Sequence, residues 1–206
     1  MNLIPPTPTK RRYPLDLARA VAGRLVEELR ASCERIEIVG SIRRGRPRVH
    51  DIDVIVLPKY GPPPRRPDQL FADQVEVSLL DGALERLARE EPPRLRYDSM
   101  GQPSKGWRIR RYIAVRSGIP VDLYAATPAS WWTQLVIRTG SADHNKFLCS
   151  LAHTKGLKLH AGGEGLTGPQ DQAISLQSEE EVFRMLDLAY IAPSAREIRT
   201  SDRRSP

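Results

Sequence analysis

The chain has 206 residues, 40% of them hydrophobic and 28% charged, which indicates a globular protein of one two-lobed domain, or one domain with a small appendage. No run approaches the length of a membrane span and the N-terminus lacks the pattern of a signal peptide, so we expect a cytoplasmic protein with no membrane partner. The net charge of +7 and the clustered arginines favour a polyanionic partner such as nucleic acid.

The first half of the chain predicts an arm, a helix and two strands that flank a turn. Residues 1–13 are rich in Pro, Lys and Arg and predict a basic extended arm. Apolar residues recur at helical spacing over 14–32. Residues 35–39 predict a short strand, and the β-branched run 49–57 predicts a buried one. The proline-rich stretch 61–67 predicts an exposed loop.

The second half predicts a second set of helices and strands. Helical spacing recurs over 79–90, 131–137, 140–153 and 178–188, and Ser178 with Glu181 forms a capping box. Strands are predicted at 95–97, 107–115, 119–125 and near 156–159, with a tight hairpin at Ser117-Gly118.

This order of elements predicts an α+β fold in two parts. A mixed sheet with helices on one face is expected over 14–128, and a small α/β C-terminal subdomain over 129–198. Residues 199–206 are expected to form a disordered tail. Trp131 and Trp132 lie on a helix that faces a sheet, and we assign them to the core rather than to a binding surface.

Asp51 and Asp53 lie in an apolar run where folding alone would not favour two carboxylates. Side chains two apart on a strand share one face, roughly 6–7 Å apart. Like charges this close are tolerated chiefly when a cation lies between them. A lone Asp-x-Asp is commonly a solvated loop or strand-edge motif. The apolar strand, an upstream glycine turn and a second acidic strand favour a metal site here.

Asp122 lies in that second strand, between Val121 and Leu123. The three carboxylates can meet if the two strands are neighbours, which is the arrangement of two-metal phosphoryl transfer. Oxygen ligands favour Mg²⁺, with Mn²⁺ possible, and no organic cofactor is expected. Cys33 and Cys149 lack disulfide or metal spacing and are expected to be reduced thiols.

Gly40-Ser41 predicts an anion site beside the acids. Glycine permits a tight turn after a strand and brings backbone N–H groups close to phosphate. If a short helix follows, its N-terminus favours anions, and Arg44 lies one turn beyond Ser41. Glycine–serine turns are common, so the position about ten residues before Asp51 carries the prediction.

The chain resembles the family X DNA polymerases, the group that contains DNA polymerases beta and lambda. The resemblance covers about 12–197 and rests on ordered motifs at 40–45, 51–53, 121–123 and 139–145, with further matches at 155–159 and 180–186. It implies a nucleotidyltransferase palm over 14–128 and a nucleotide- and template-binding subdomain over 129–198.

The resemblance also implies a role for each matching residue. The metal-binding catalytic residues would be Asp51, Asp53 and Asp122. The nucleotide would be bound by Arg12, Gly40, Ser41, Arg44, Gly140 and Asn145. Lys146 and Arg138 would lie at the template or DNA.

Three departures from the family pattern carry expectations. Ile137 and Arg138 replace an aromatic pair that helps to exclude ribonucleotides, so a weakened preference for deoxynucleotides is expected. Cys149 replaces an arginine that probes the template strand, so fidelity is expected to be low. The N-terminal lyase domain of larger members is absent from this sequence, so no deoxyribose-phosphate lyase activity is expected.

The leading hypothesis is a monomeric, DNA-directed DNA polymerase that fills short gaps in DNA repair from dNTP substrates, located at the nucleoid or an equivalent compartment. A second hypothesis keeps nucleotidyl transfer but changes the acceptor to an untemplated DNA end, an RNA 3′ end or a protein. A third is a DNA-binding accessory protein with a vestigial site, which the cost of buried acids without metals disfavours.

Overall fold

A computed structural model describes residues 11–62, 76–98, 108–160, 162 and 165–197. The predicted tail at 199–206, most of the arm and most of the 61–67 loop lie outside the described residues. The helices are α1 Leu15–Leu29, α2 Gly40–Arg43, α3 Leu79–Arg89, α4 Trp131–Thr139, α5 Ala142–Thr154 and α6 Glu179–Arg184, with 3₁₀ turns at Arg30–Ser32 and Pro193–Ala195.

The strands are short except in the central sheet. They are β1 Tyr13–Pro14, β2 Cys33–Ile38, β3 Arg48–Val49, β4 Ile52–Pro58, β5 Tyr60–Gly61, β6 Val77–Ser78, β7 Leu95–Tyr97, β8 Ile109–Ala114, β9 Ile119–Ala125, β10 Lys158–His160, β11 Gly165–Thr167 and β12 Ala173–Ile174.

The central sheet has five strands in the order β2-β4-β9-β8-β7. β4 and β9 are parallel, and the other pairs are antiparallel. The predicted hairpin joins β8 to β9, with Ala114 paired to Ile119 and Gly118 at φ +69°. Helices on this mixed sheet confirm the predicted α+β class.

Alternation along β4 and β9 divides their side chains between two faces. Ile52, Val54 and Val56 pack with the buried side of α1 and α3, in the main core. Ile55 and Leu57 point the other way and pack against α4. Asp53 lies on this second face too, at the end of β4 that these apolar residues do not cover.

The C-terminal part has its own core. The antiparallel sheet β10-β11-β12 packs with α4, α5 and α6 around Leu148, Phe183 and neighbouring apolar residues. α4 serves both parts, because Trp131 and Leu135 pack on the central sheet while Val136 packs on the C-terminal core. Trp131 is 3% exposed, which confirms its assignment to a core.

Two local predictions at the start of the chain need correction. Asp51 lies in a bend before β4, not within the strand, which begins at Ile52. Tyr13 was assigned to the arm, but it pairs with Val49 and is 5% exposed. Its hydroxyl donates to the carbonyl of Gly118 at 2.7 Å, so Tyr13 is a core residue.

The last helix is shorter than its apolar pattern predicts. The hydroxyl of Ser178 accepts from the amide of Glu181 at 3.2 Å, which confirms the cap, and the side chain of Glu181 reaches the amide of Gln177. The helix ends at Arg184 because Asp187 adopts φ +55°, a left-handed conformation that a helix does not continue.

Cys33 and Cys149 are both free thiols. Within the described part of the chain, no helix combines the length and apolarity that crossing a membrane requires.

Candidate active site

Gly40 joins the first turn of α2 to the acidic strand. The amide of Val39 donates to the carbonyl of Asp53 at 2.9 Å, and Gly40 follows at φ +62°. A Cβ on Gly40 would lie 1.9 Å from Oδ2 of Asp53, so a side chain cannot be accommodated there. The glycine turn and the carboxylate are therefore in direct contact.

Asp53 and Asp122 are brought together by the parallel pairing of β4 and β9, in which they are direct register partners. The hydroxyl of Tyr124 lies 3.3 Å from Oδ1 of Asp53 and 3.3 Å from Oδ2 of Asp122. The two carboxylate oxygens are thus within twice that distance of each other. Nε of Arg111, opposite Asp122 on β8, lies 3.7 Å from its other oxygen.

Burial and mutual repulsion disfavour the charged form of these acids. Burial, followed by the charges of Asp51 and Asp122, raises the pKa of Asp53 to about 7. Burial also raises the pKa of Asp122, partly opposed by Arg111. Burial and the charge of Asp53 raise the pKa of Tyr124, which keeps its hydroxyl protonated and able to donate.

The donors fit a hard divalent cation, because Asp51, Asp53 and Asp122 supply only carboxylate oxygens and repel one another. Within the described residues, however, no three Asp, Glu, His or Cys side chains are already grouped at coordinating distance. Binding a cation therefore requires the carboxylates to turn towards it.

The anion half of the site lies across the same cavity. It has a volume of about 490 Å³ and is lined by Gly40, Ser41, Arg44, Asp51, Asp53 and neighbouring residues. The hydroxyl of Ser41 is buried and has no hydrogen-bond partner among the described residues. A buried hydroxyl left unpaired is costly, so Ser41 is ready to bond to a ligand.

Arg44 reaches this cavity through a space that only glycine leaves open. A Cβ on Gly140 would lie 2.9 Å from Nη1 of Arg44, and Gly140 adopts φ +72°. The same Nη1 donates to the carbonyl of Thr139, and Nε donates to Glu197 at 2.7 Å. Arg44 is thus held at the contact between α2 and the C-terminal part.

All predicted site residues except Asp122 and Lys146 line the cavity, Arg12 among them. Asp122 contacts the hydroxyl of Tyr124, which does line the cavity, whereas Lys146 is exposed and pairs with Asp143 on α5. Asn145 donates to the carbonyl of Ile137 at 2.7 Å, which leaves its Oδ1 buried without a partner among the described residues.

Arg138 lies over the ring of Tyr124, 4.1 Å from its centroid. A cation above an aromatic face is attracted by the π electrons, so this contact holds the ring that carries the shared hydroxyl. Arg138 was predicted at the template or DNA. In the structure it lies in the wall of the cavity beside Tyr124, and its contact with the template or DNA stays a prediction.

A buried ion-pair network joins α2 to the C-terminal part. Arg43 donates two hydrogen bonds to Glu179, at 2.8 and 2.6 Å, and Arg196 donates a third at 2.9 Å. Burial opposes ionisation of Glu179, but the bonds from Arg43 and the charge of Arg196 lower its pKa. Glu179 therefore stays charged and ties the two parts together.

Two residues at the site were missed by sequence reasoning. Tyr124 had a usable signal, because a residue two positions after Asp122 on a strand shares its face. Glu197 had no such signal in the sequence, because it is 153 residues away from Arg44 and only the tertiary structure brings the two together.

This chain is similar to known DNA polymerases. Residues 134–197 match the family model described as DNA polymerase beta thumb. DNA polymerase lambda of Rattus norvegicus is 27% identical over 171 residues, which covers 77% of this chain. The chain spans only 28% of the length of that relative.

The fold is similar to a crystal structure of Leishmania infantum polymerase beta in a ternary P/T complex. The TM-score is 0.66 at 21% identity, over 91% of this chain and 77% of that one.

Proposed function

Because these comparisons support a family X DNA polymerase, we propose that this chain transfers a nucleotidyl group from a dNTP to the 3′-hydroxyl of a DNA primer. The observation that carries the proposal is the contact of Gly40 with Asp53. It joins an unpaired anion-binding hydroxyl and a carboxylate group in one cavity. Phosphoryl transfer needs both, because the triphosphate and the cations that neutralise it must be bound side by side.

The residues of the chain divide into two roles. Ser41, Arg44 and Arg12 bind the triphosphate, supported by the N–H groups of the Gly40 turn. Asp51, Asp53 and Asp122 would hold Mg²⁺ or Mn²⁺. When bound, the ions lower the pKa of the attacking hydroxyl and offset the charge of the leaving group.

The C-terminal part orients the nucleotide and the DNA. Gly140 lets the incoming sugar approach closely, and Asn145 offers its unpaired Oδ1 to the base edge. Lys146, exposed on α5, contacts the template strand. With Ile137 and Arg138 in place of an aromatic pair, discrimination against ribonucleotides is weak.

The partner is primer–template or gapped DNA, and the biological role is short-gap filling in repair with low fidelity. Arginines at the rim of the cavity, including Arg46 and Arg48, supply positive charge for the phosphate backbone. The Leishmania relative was solved in a ternary P/T complex, which supports a primer–template partner for this fold.

Primer extension on gapped, blunt-ended and RNA substrates, with Mg²⁺ or Mn²⁺, tests the proposal. Incorporation on gapped DNA is expected, and Asp53→Asn should abolish it without weakening DNA binding. Asp171→Asn is the matched control, because Asp171 is exposed, lies outside the cavity and adopts φ +56°, which Asn tolerates. Incorporation only on untemplated or RNA ends would replace this proposal with nucleotidyl transfer to another acceptor.

A further inference from the structure

Glu197 places a carboxylate in the anion half of the cavity. Its Oε1 lies 2.7 Å from Nε of Arg44 and 3.7 Å from Nε of Arg46. The side chain of Arg44 is only 14% exposed, compared with 32% for Glu197. The pair is therefore shielded enough from water for its charge interaction to matter.

The position of Glu197 is fixed by the residue before it. The carbonyl of Arg196 accepts from the amide of Ser141 at 3.2 Å and from its hydroxyl at 2.8 Å. The Arg196 guanidinium is fully buried and bonds to Glu179. Because the backbone carbonyl and the guanidinium of Arg196 are both bonded, the next residue, Glu197, is positioned with its carboxylate at Arg44.

A bound phosphate on Arg44 would meet this carboxylate. The guanidinium already donates Nη1 to Thr139 and Nε to Glu197. An incoming phosphate must either take the place of Glu197 or sit beside it. In both cases free energy is lost, through the broken ion pair or through repulsion between two anions.

We propose that Glu197 is an affinity-determining residue of the triphosphate subsite, an internal anion that competes with the polyphosphate of the nucleotide for Arg44. The inference rests on the proposed function, because it takes Arg44 as a triphosphate ligand. Displacing Glu197 also couples nucleotide binding to the segment that Ser141 holds at the start of α5.

Inorganic tripolyphosphate is the probe, titrated calorimetrically into the full chain at low salt without DNA or divalent metal. Glu197→Gln should bind it roughly two- to fivefold more tightly than the unaltered protein, the range of a partly exposed ion pair. Glu180→Gln makes the same change in net charge at an exposed site outside the cavity and should change affinity little.

Glu197→Asp covers the case in which Glu197→Gln fails to fold. Its shorter side chain should weaken the contact with Arg44 and tighten tripolyphosphate binding in the same direction, by a smaller factor. Unchanged or weaker binding by the folded variants would overturn the inference, because Glu197 would then be neutral or would position Arg44 productively.

The result is separable from that of primer extension. Tighter tripolyphosphate binding by Glu197→Gln supports the inference even if no nucleotide is incorporated. A failure of incorporation would contradict only the proposed function. If tripolyphosphate binds neither the unaltered chain nor Glu197→Gln, the inference fails, whatever primer extension shows.

Discussion

Asp53 and Asp122 are register partners on the neighbouring parallel strands β4 and β9, so their side chains project from the same face of the sheet. The hydroxyl of Tyr124 lies 3.3 Å from an oxygen of each. Two strands that are separated in the chain by α3 and by β5 to β8 thus form one acidic site, and the neutral hydroxyl of Tyr124 lies between its carboxylates.

Tyr124→Phe should lower the stability of the metal-free protein, since Asp53 and Asp122 lose a donor that moderates their repulsion. A loss of about 1 kcal/mol in the free energy of unfolding is expected, typical of one hydrogen bond. Mn²⁺ should stabilise the variant more than the unaltered protein, because the cation replaces the missing donor. Thermal melts with and without Mn²⁺ measure both effects. Tyr60→Phe is the control, as Tyr60 is 61% exposed.

Gly40→Ala should be strongly destabilising and inactive, because its Cβ would lie 1.9 Å from Oδ2 of Asp53 and the backbone has φ +62°. Gly45 provides a matched control at φ +72°, with nothing within 4 Å of its added Cβ. Gly45→Ala should cost only about 1–2 kcal/mol, the backbone penalty alone. Equal losses for the two variants in urea denaturation would show that the contact with Asp53 does not matter.

His144 predicts a pH dependence of stability. It is 1% exposed, and burial, followed by the charge of Arg196, lowers its pKa from 6.5 to about 4. Between these values the unfolded chain binds the extra proton, so the contribution of His144 is fully present above pH 6.5 and is lost as pH falls towards 4.

The raised pKa of Asp53 changes the stability with pH in the opposite direction. It favours the folded state at low pH and loses that contribution as pH rises through about 7. The effect of His144 is therefore measured as the difference in the free energy of unfolding between the unaltered chain and His144→Gln. That difference in unfolding free energy should change with pH between 4 and 6.5 and stay constant above it. A constant difference throughout this range would contradict the prediction.

Glu179→Gln should cost on the order of 3 kcal/mol, because it leaves the guanidiniums of Arg43 and Arg196 near each other without their shared counter-charge. Glu85→Gln breaks an exposed pair with Arg89 and should cost less than about 0.5 kcal/mol. Chemical denaturation of the two variants compares a buried with an exposed ion pair in one protein. Similar losses would mean that the buried network adds little to the attachment of the C-terminal part.

Local chemistry determined much of this protein from sequence alone. The β-branched run around Ile52, the turn at Gly40 and the cap at Ser178 are set by neighbours a few residues away, so periodicity and turn chemistry predicted them. The prediction of a metal site beside an anion site also rests on the types and spacing of Asp51, Asp53 and Ser41.

Only the tertiary structure decided which of these groups meet. Register between β4 and β9 depends on long-range pairing, and it placed Tyr124 against both carboxylates. Glu197 reaches Arg44 across 153 residues, a contact set by how Arg196 packs between Glu179 and Ser141. Such contacts depend on the packing of whole elements, which no short stretch of sequence encodes.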